Sequence, residues 1–156
     1  MEKTVTFFRK STPENPEFGY GDTVSVVMAD GKELYRGSAS TCPNPYRLEG
    51  TKTIPWQRIY SLVAPGEFDF ECVVHKKLGK SLLINQGQAV PTVNCNSNHR
   101  GQRVATEIFV HTGAQGSKNK DWRGSAGCFT VPKESKFFDH FIEGEGGKLI
   151  LDGGSI

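Results

Sequence analysis

Residues 68–75, FDFECVVH, alternate with a period of two: Phe68, Phe70, Cys72 and Val74 share one face, and Asp69, Glu71, Val73 and His75 share the other. A helix would scatter these sets around its axis. An extended strand buries one and exposes the other, so the segment predicts a half-buried strand with Cys72 directed inward. Val5–Phe8, Thr23–Met28 and Lys148–Leu151 are read as further strands. Ala29-Asp30-Gly31-Lys32 is a tight-turn signal leading back through Glu33 to Tyr35, and Lys76–Lys80, with Gly79, leads back through Ser81–Asn85. Two hairpins are therefore expected. Eighteen glycines and eight prolines, spread rather than clustered, fit many turns between short strands better than a helical bundle. The expected fold class is mostly β.

The remaining segments carry weaker signals. Arg36–Leu48 is rich in small residues and proline and reads as a loop, with Cys42 structural because no base lies near it in sequence. Ile54-Pro55 and Ala64-Pro65-Gly66 bracket a segment with Trp56 and Tyr60, which the prolines confine to a loop or sheet edge. Residues 86–103 lack periodicity and read as a long loop, a candidate lid over a cleft. Pro132–Gly144 reads as one helix, with Phe137, Phe138, Phe141 and Ile142 at helical spacing as core residues.

At 156 residues, a single domain spanning 1–156 is expected. A net charge of +2, from 19 basic and 17 acidic residues, argues against an electrostatic nucleic-acid binder. No stretch approaches the length of a membrane span, and the N-terminal residues carry no apolar core of signal-peptide length, so the chain is expected to be soluble. Cys42, Cys72, Cys95 and Cys128 have irregular spacing, and free thiols are expected rather than a disulfide framework. Oligomeric state is not encoded in any of these features.

Chemistry concentrates in residues 106–131, TEIFVHTGAQGSKNKDWRGSAGCFTV. His111 ends an apolar run, Ile108-Phe109-Val110, and so sits at the end of a buried strand. A glycine-rich loop then returns to Cys128, flanked by Gly127 and Phe129. A cysteine becomes a useful nucleophile when a neighbouring base favours its thiolate, and histidine is the usual partner near neutral pH. On that basis Cys128 is expected to alkylate faster than the other cysteines at about pH 6.5.

His111-Thr112-Gly113, a loop, then Ser125-Ala126-Gly127-Cys128 resembles the signature of YkuD-like L,D-transpeptidases. The family usually has a second histidine two residues before the cysteine, where this chain has Ala126, and an Arg or Asn two residues after it, where this chain has Thr130. The resemblance implies a twisted β-sandwich or barrel-like domain with one helix after the catalytic cysteine. It also implies a cysteine acyl-transfer enzyme acting on peptidoglycan stem peptides, as transpeptidase or carboxypeptidase through a thioester acyl-enzyme at the cell wall. Cys128 would be the nucleophile and His111 the base, with the carbonyl after the histidine, that of Thr112, orienting the imidazole. Gly127 would let main-chain N–H groups approach the oxyanion.

Arg123 would hold a stem-peptide carboxylate beside Trp122, or is simply a solvated loop charge. Ser125 and Gly113 line the substrate side, or only shape turns. Cys95-x3-His99 with His111 lacks the paired spacings of zinc sites, so neither metal nor cofactor is expected. His75 and His140 read as structural. Two rival functions remain: a phage-like or secreted antibacterial wall amidase or endopeptidase, and a non-catalytic wall-binding β domain, which Ala126 supports.

Overall fold

The computed structural model describes residues 2–13, 20–113 and 127–153. Eight strands form one sheet in the order β11-β10-β7-β6-β12-β1-β2-β3. They are β1 (Lys3–Phe8), β2 (Asp22–Met28), β3 (Glu33–Ala39), β6 (Gly66–His75), β7 (Gly79–Ile84), β10 (Phe109–Thr112), β11 (Phe129–Val131) and β12 (Gly146–Asp152). The pairs β1–β12 and β10–β11 are parallel, and the other neighbours are antiparallel. Beyond the end of β3, Ser40 and Thr130 exchange two backbone hydrogen bonds of 2.8 Å, so the last strand meets the first and the sheet is a nearly closed barrel. The fold is mostly β and barrel-like, as expected.

Both predicted hairpins form. Gly31 takes φ +92° in the β2–β3 turn, where Asp30 Oδ1 accepts the N–H of Lys32 at 2.9 Å. In the β6–β7 turn, Gly79 takes φ +74° and His75 Nδ1 accepts the N–H groups of Lys77 and Leu78 at 3.0 and 3.2 Å. Inward positions of neighbouring strands meet across the ladder: Cys72 lies opposite Leu82, and Leu82 opposite Val110, all fully buried. Phe7, Phe129, Phe137 and Phe141 complete the interior, with ring centroids 4.9 Å apart for Phe7–Phe129 and 5.1 Å for Phe137–Phe141.

Several expectations are corrected. The helix expected over 132–144 contracts to one 3-10 turn, Phe137–His140. Phe137 and Phe141 turn into the barrel while Ile142 stays 73% exposed. Gly144 N–H donates to the carbonyl of Cys72, and Cys72 N–H to that of Glu145, pairings that a helix through 144 would forfeit. The loop expected over 36–48 is largely strand: β3 continues to Ala39, and β4 (Tyr46–Glu49) pairs with β5 (Lys52–Pro55) in a separate hairpin. Trp56–Ile59 forms a single α-helical turn, α1, instead of a loop or edge. Val74 is 61% exposed rather than inward, because the inward row of β6 ends at Cys72. The segment 86–103 is not structureless: β8 (Val90–Pro91) pairs with β9 (Val104–Ala105).

Close approach of β12 to its neighbours depends on one glycine. A Cβ on Gly147 would lie 2.3 Å from the Lys3 carbonyl oxygen and 2.7 Å from the Phe70 ring, whereas on Gly146 the nearest atom would be 3.3 Å away. Gly147→Ala is therefore expected to destabilise the fold by about 1–3 kcal/mol and Gly146→Ala by clearly less. Urea unfolding checks this, and equal midpoints for the two variants would refute it.

Candidate active site

Strand β10 is short and β-branched at its centre, and Val110 enters the core, so alternation sends Phe109 and His111 to the opposite face. Strand β11 runs parallel to it with Val110 opposite Phe129 and His111 opposite Thr130. Cys128 immediately precedes β11, and its sulfur accepts the N–H of Phe109 at 3.4 Å. Thr130 lies opposite His111, so Cys128 stands two positions from it along the neighbouring strand. His111, Thr112, Gly113, Gly127 and Cys128 thus gather on one strand pair, which Gly113 N–H extends by donating to the carbonyl of Val131 at 2.8 Å. Trp122, Arg123, Ser125 and Ala126 lie outside the described residues.

The imidazole of His111 is buried, and its Nδ1 lies 2.8 Å from the carbonyl oxygen of Thr112. A carbonyl can only accept, so Nδ1 carries the proton and Nε2 keeps the lone pair a base needs. Burial pushes the His111 pKa below its ordinary 6.5, with the charge of His75 pushing the same way and the Thr112 carbonyl opposing. Burial also pushes the Cys128 thiol above 9.0, against the opposing effect of the Phe109 N–H. Both shifts favour the uncharged forms. This runs against the expectation of a thiolate ready near pH 6.5.

The sulfur of Cys128 lies 4.0 Å from the carbonyl oxygen of Glu107, a non-glycine residue at φ +55° whose N–H donates to Gly87 at 3.0 Å. A side chain held in that region costs free energy, and such positions cluster at functional sites. Cys128 opens on a cleft of about 180 Å³, lined also by Ile59, Ser61, Asn98, His99 and Glu107. The segment expected as a lid therefore contributes a wall of this cleft through Asn98 and His99. A larger depression, about 870 Å³, lies along Glu2, Asp69 and residues 142–147. No cysteine or histidine lines it, whereas Cys128 and His99 line the smaller cleft.

Gly127 takes φ +147°, and a Cβ there would lie 3.1 Å from the Ser61 carbonyl oxygen and 3.2 Å from its Cβ. The glycine next to the cysteine is thus required both by its backbone conformation and by the approach of Ser61. Ser61, Glu107 and His75 are the neighbours that sequence reasoning missed. The His75 ring packs edge-on against Phe109 at 5.2 Å, across three strands, and no local spacing signals it. Among the described residues no group of three His, Cys, Asp or Glu side chains is placed to hold a metal ion. No family model matches the chain, and neither a curated protein nor a solved structure matches it.

With the thiol above 9.0 and the imidazole below 6.5, the pair rests uncharged between those values. Iodoacetamide is accordingly expected to alkylate Cys128 more slowly at pH 7 than the exposed Cys95, with the Cys128 rate still climbing at pH 9.0 and levelling off only above it. Peptide mapping after timed labelling follows each cysteine. A Cys128 rate that already plateaus below pH 8 would overturn the uncharged resting pair.

Proposed function

We propose that the chain is a cysteine acyl-transfer enzyme of the L,D-transpeptidase or L,D-carboxypeptidase type, acting on peptidoglycan stem peptides at the cell wall. The observation that carries this reading is the placement, on adjacent parallel strands, of a neutral, carbonyl-oriented histidine on β10 and a cysteine at the head of β11 that borders a cleft. The motif resemblance supplies the substrate class. No helix among the described residues is long and apolar enough to cross a membrane.

In the proposed reaction His111 Nε2 takes the Cys128 thiol proton as the sulfur bonds to the carbonyl carbon of the third, L-centred residue. Main-chain N–H groups at Gly127 and Cys128 stabilise the oxyanion. The tetrahedral species collapses as the C–N bond breaks, His111 returns the proton to the leaving D-alanine amine, and a thioester remains. An amine acceptor then yields a crosslink or an exchanged peptide, and water yields a shortened stem.

Active protein is expected to gain, by intact-mass measurement, an acyl adduct on Cys128 after incubation with a stem tetrapeptide, with release of D-alanine. Cys128→Ala should abolish this without unfolding the domain, while Cys42→Ala, which alters a buried thiol packed on Ser11, should leave turnover largely intact. Comparable rates for Cys128→Ala and wild type would sink the nucleophile assignment. Wall fragments released without loss of D-alanine would instead favour an amidase, and no reaction would favour the binding domain.

A further inference from the structure

The back wall of the Cys128 cleft is built by a device that the motif does not contain. Three residues of the segment 94–98, NCNSN, bond through their side chains to the main chain of residues 57–62, more than thirty positions earlier. Asn94 Oδ1 accepts the N–H of Leu62 at 3.0 Å, and its Nδ2 donates to the carbonyls of Tyr60 and Gln57 at 2.9 and 3.3 Å. Ser97 Oγ donates to the carbonyl of Arg58 at 2.9 Å and Asn98 Nδ2 to that of Ile59 at 3.2 Å. These bonds cover the carbonyls that the single turn α1 leaves unpaired.

Asn96 differs from the others because it holds a side chain instead of the main chain. Its Nδ2 donates to Ser61 Oγ at 2.6 Å, its Oδ1 accepts the N–H of Asn98 at 2.9 Å, and both Asn96 and Ser61 are about 95% buried. Ser61 in turn is the residue against which Gly127 is pressed. A buried amide committed at both ends has little freedom, so it fixes Ser61 rigidly, and Ser61 limits where Gly127 can sit.

We propose that Asn96 and Ser61 are positioning residues for the nucleophile, setting the place of Cys128 through Gly127. This rests on the proposed acyl-transfer reading for its catalytic consequence. Displacement of a reacting group by about 1 Å costs on the order of a hundredfold in rate. A loosened Gly127 also admits water to the sulfur and weakens the burial that raises its pKa.

The test compares Ser61→Ala and Asn96→Ala with Ser97→Ala, which removes the bond to the Arg58 carbonyl from the same segment but leaves both peptide groups of Ser61 held by Asn94. Acylation of Cys128 at saturating stem tetrapeptide should slow roughly ten- to a hundredfold in the first two, with KM changed less than about twofold, while Ser97→Ala lowers Tm but keeps near-wild-type acylation. The pH dependence of iodoacetamide labelling at Cys128 is measured in parallel on all four proteins. Its alkaline limb should move down towards 9.0 in Ser61→Ala and Asn96→Ala and stay in place in Ser97→Ala. Wild-type labelling and acylation in Ser61→Ala, or equal losses in Ser97→Ala, would overturn the proposal. If the wild-type protein forms no acyl adduct, the acyl-transfer reading fails, and the labelling limb alone still decides whether Asn96 and Ser61 position the cysteine.

Discussion

The nearly closed sheet hangs on a buried carboxylate. Asp22, at the start of β2, accepts five hydrogen bonds: Oδ1 takes the N–H groups of Lys10 and Ser11 and the Ser11 hydroxyl, and Oδ2 takes the N–H and hydroxyl of Thr41. Hydrogen bonds to a charged group contribute about 1.5–3 kcal/mol each, and a buried carboxylate without them would be strongly disfavoured. The knot places Thr41, and with it Ser40, where Ser40 can pair with Thr130. Strand β11 is only three residues long, so without that bridge it would be held to the sheet by β10 alone. Arg9 extends the same knot, donating to the hydroxyl and carbonyl of Thr41 and to the carbonyl of Val63. Cys128 is thereby suspended from both sides: through Thr130 and Ser40 on one, and through Gly127 and the segment from Ser61 to Val63 on the other.

That arrangement explains which parts of the fold are legible locally. Strands β1, β2, β6, β7 and β12 announce themselves because alternation and a turn residue lie within a few positions of each other, as in Phe70, Cys72 and Gly79. Where the deciding partner is remote, local pattern misleads. The spacing of Phe137, Phe138 and Phe141 suits a helix equally well, and only the pairing of residues 144 and 145 with Cys72 selects one turn. Val74 continues an apolar alternation but lies beyond the inward row. The single turn at Trp56–Ile59 is hidden in a proline-bracketed segment because the Asn94, Ser97 and Asn98 side chains that cap it are more than thirty residues away.

The candidate site divides in the same way. His111 and Cys128 are visible because chemistry and a glycine sit beside each residue in sequence. Ser61 is an ordinary loop serine until Gly127 is seen against it. Glu107 carries no local mark either, since its left-handed backbone follows from the hydrogen bond to Gly87. Ala126 suggests a site short of one imidazole, yet His75 brings a second ring to the neighbourhood from β6, against Phe109.

The uncharged resting pair has a consequence for when charge is created. In a preformed thiolate–imidazolium pair the separation precedes substrate and is balanced largely by solvent. Here burial opposes both charges, so under the proposed reaction the proton leaves sulfur only as the carbon–sulfur bond forms. Charge then develops in a cleft from which substrate has displaced water, where fixed dipoles act more strongly than in solution. Two such dipoles are already in place. The Phe109 N–H points at the sulfur that turns negative, and the Thr112 carbonyl holds the imidazole that turns positive. Neither has to reorient during the step, so the burial that suppresses the resting thiolate also prepares the environment in which the transient ion pair is stabilised.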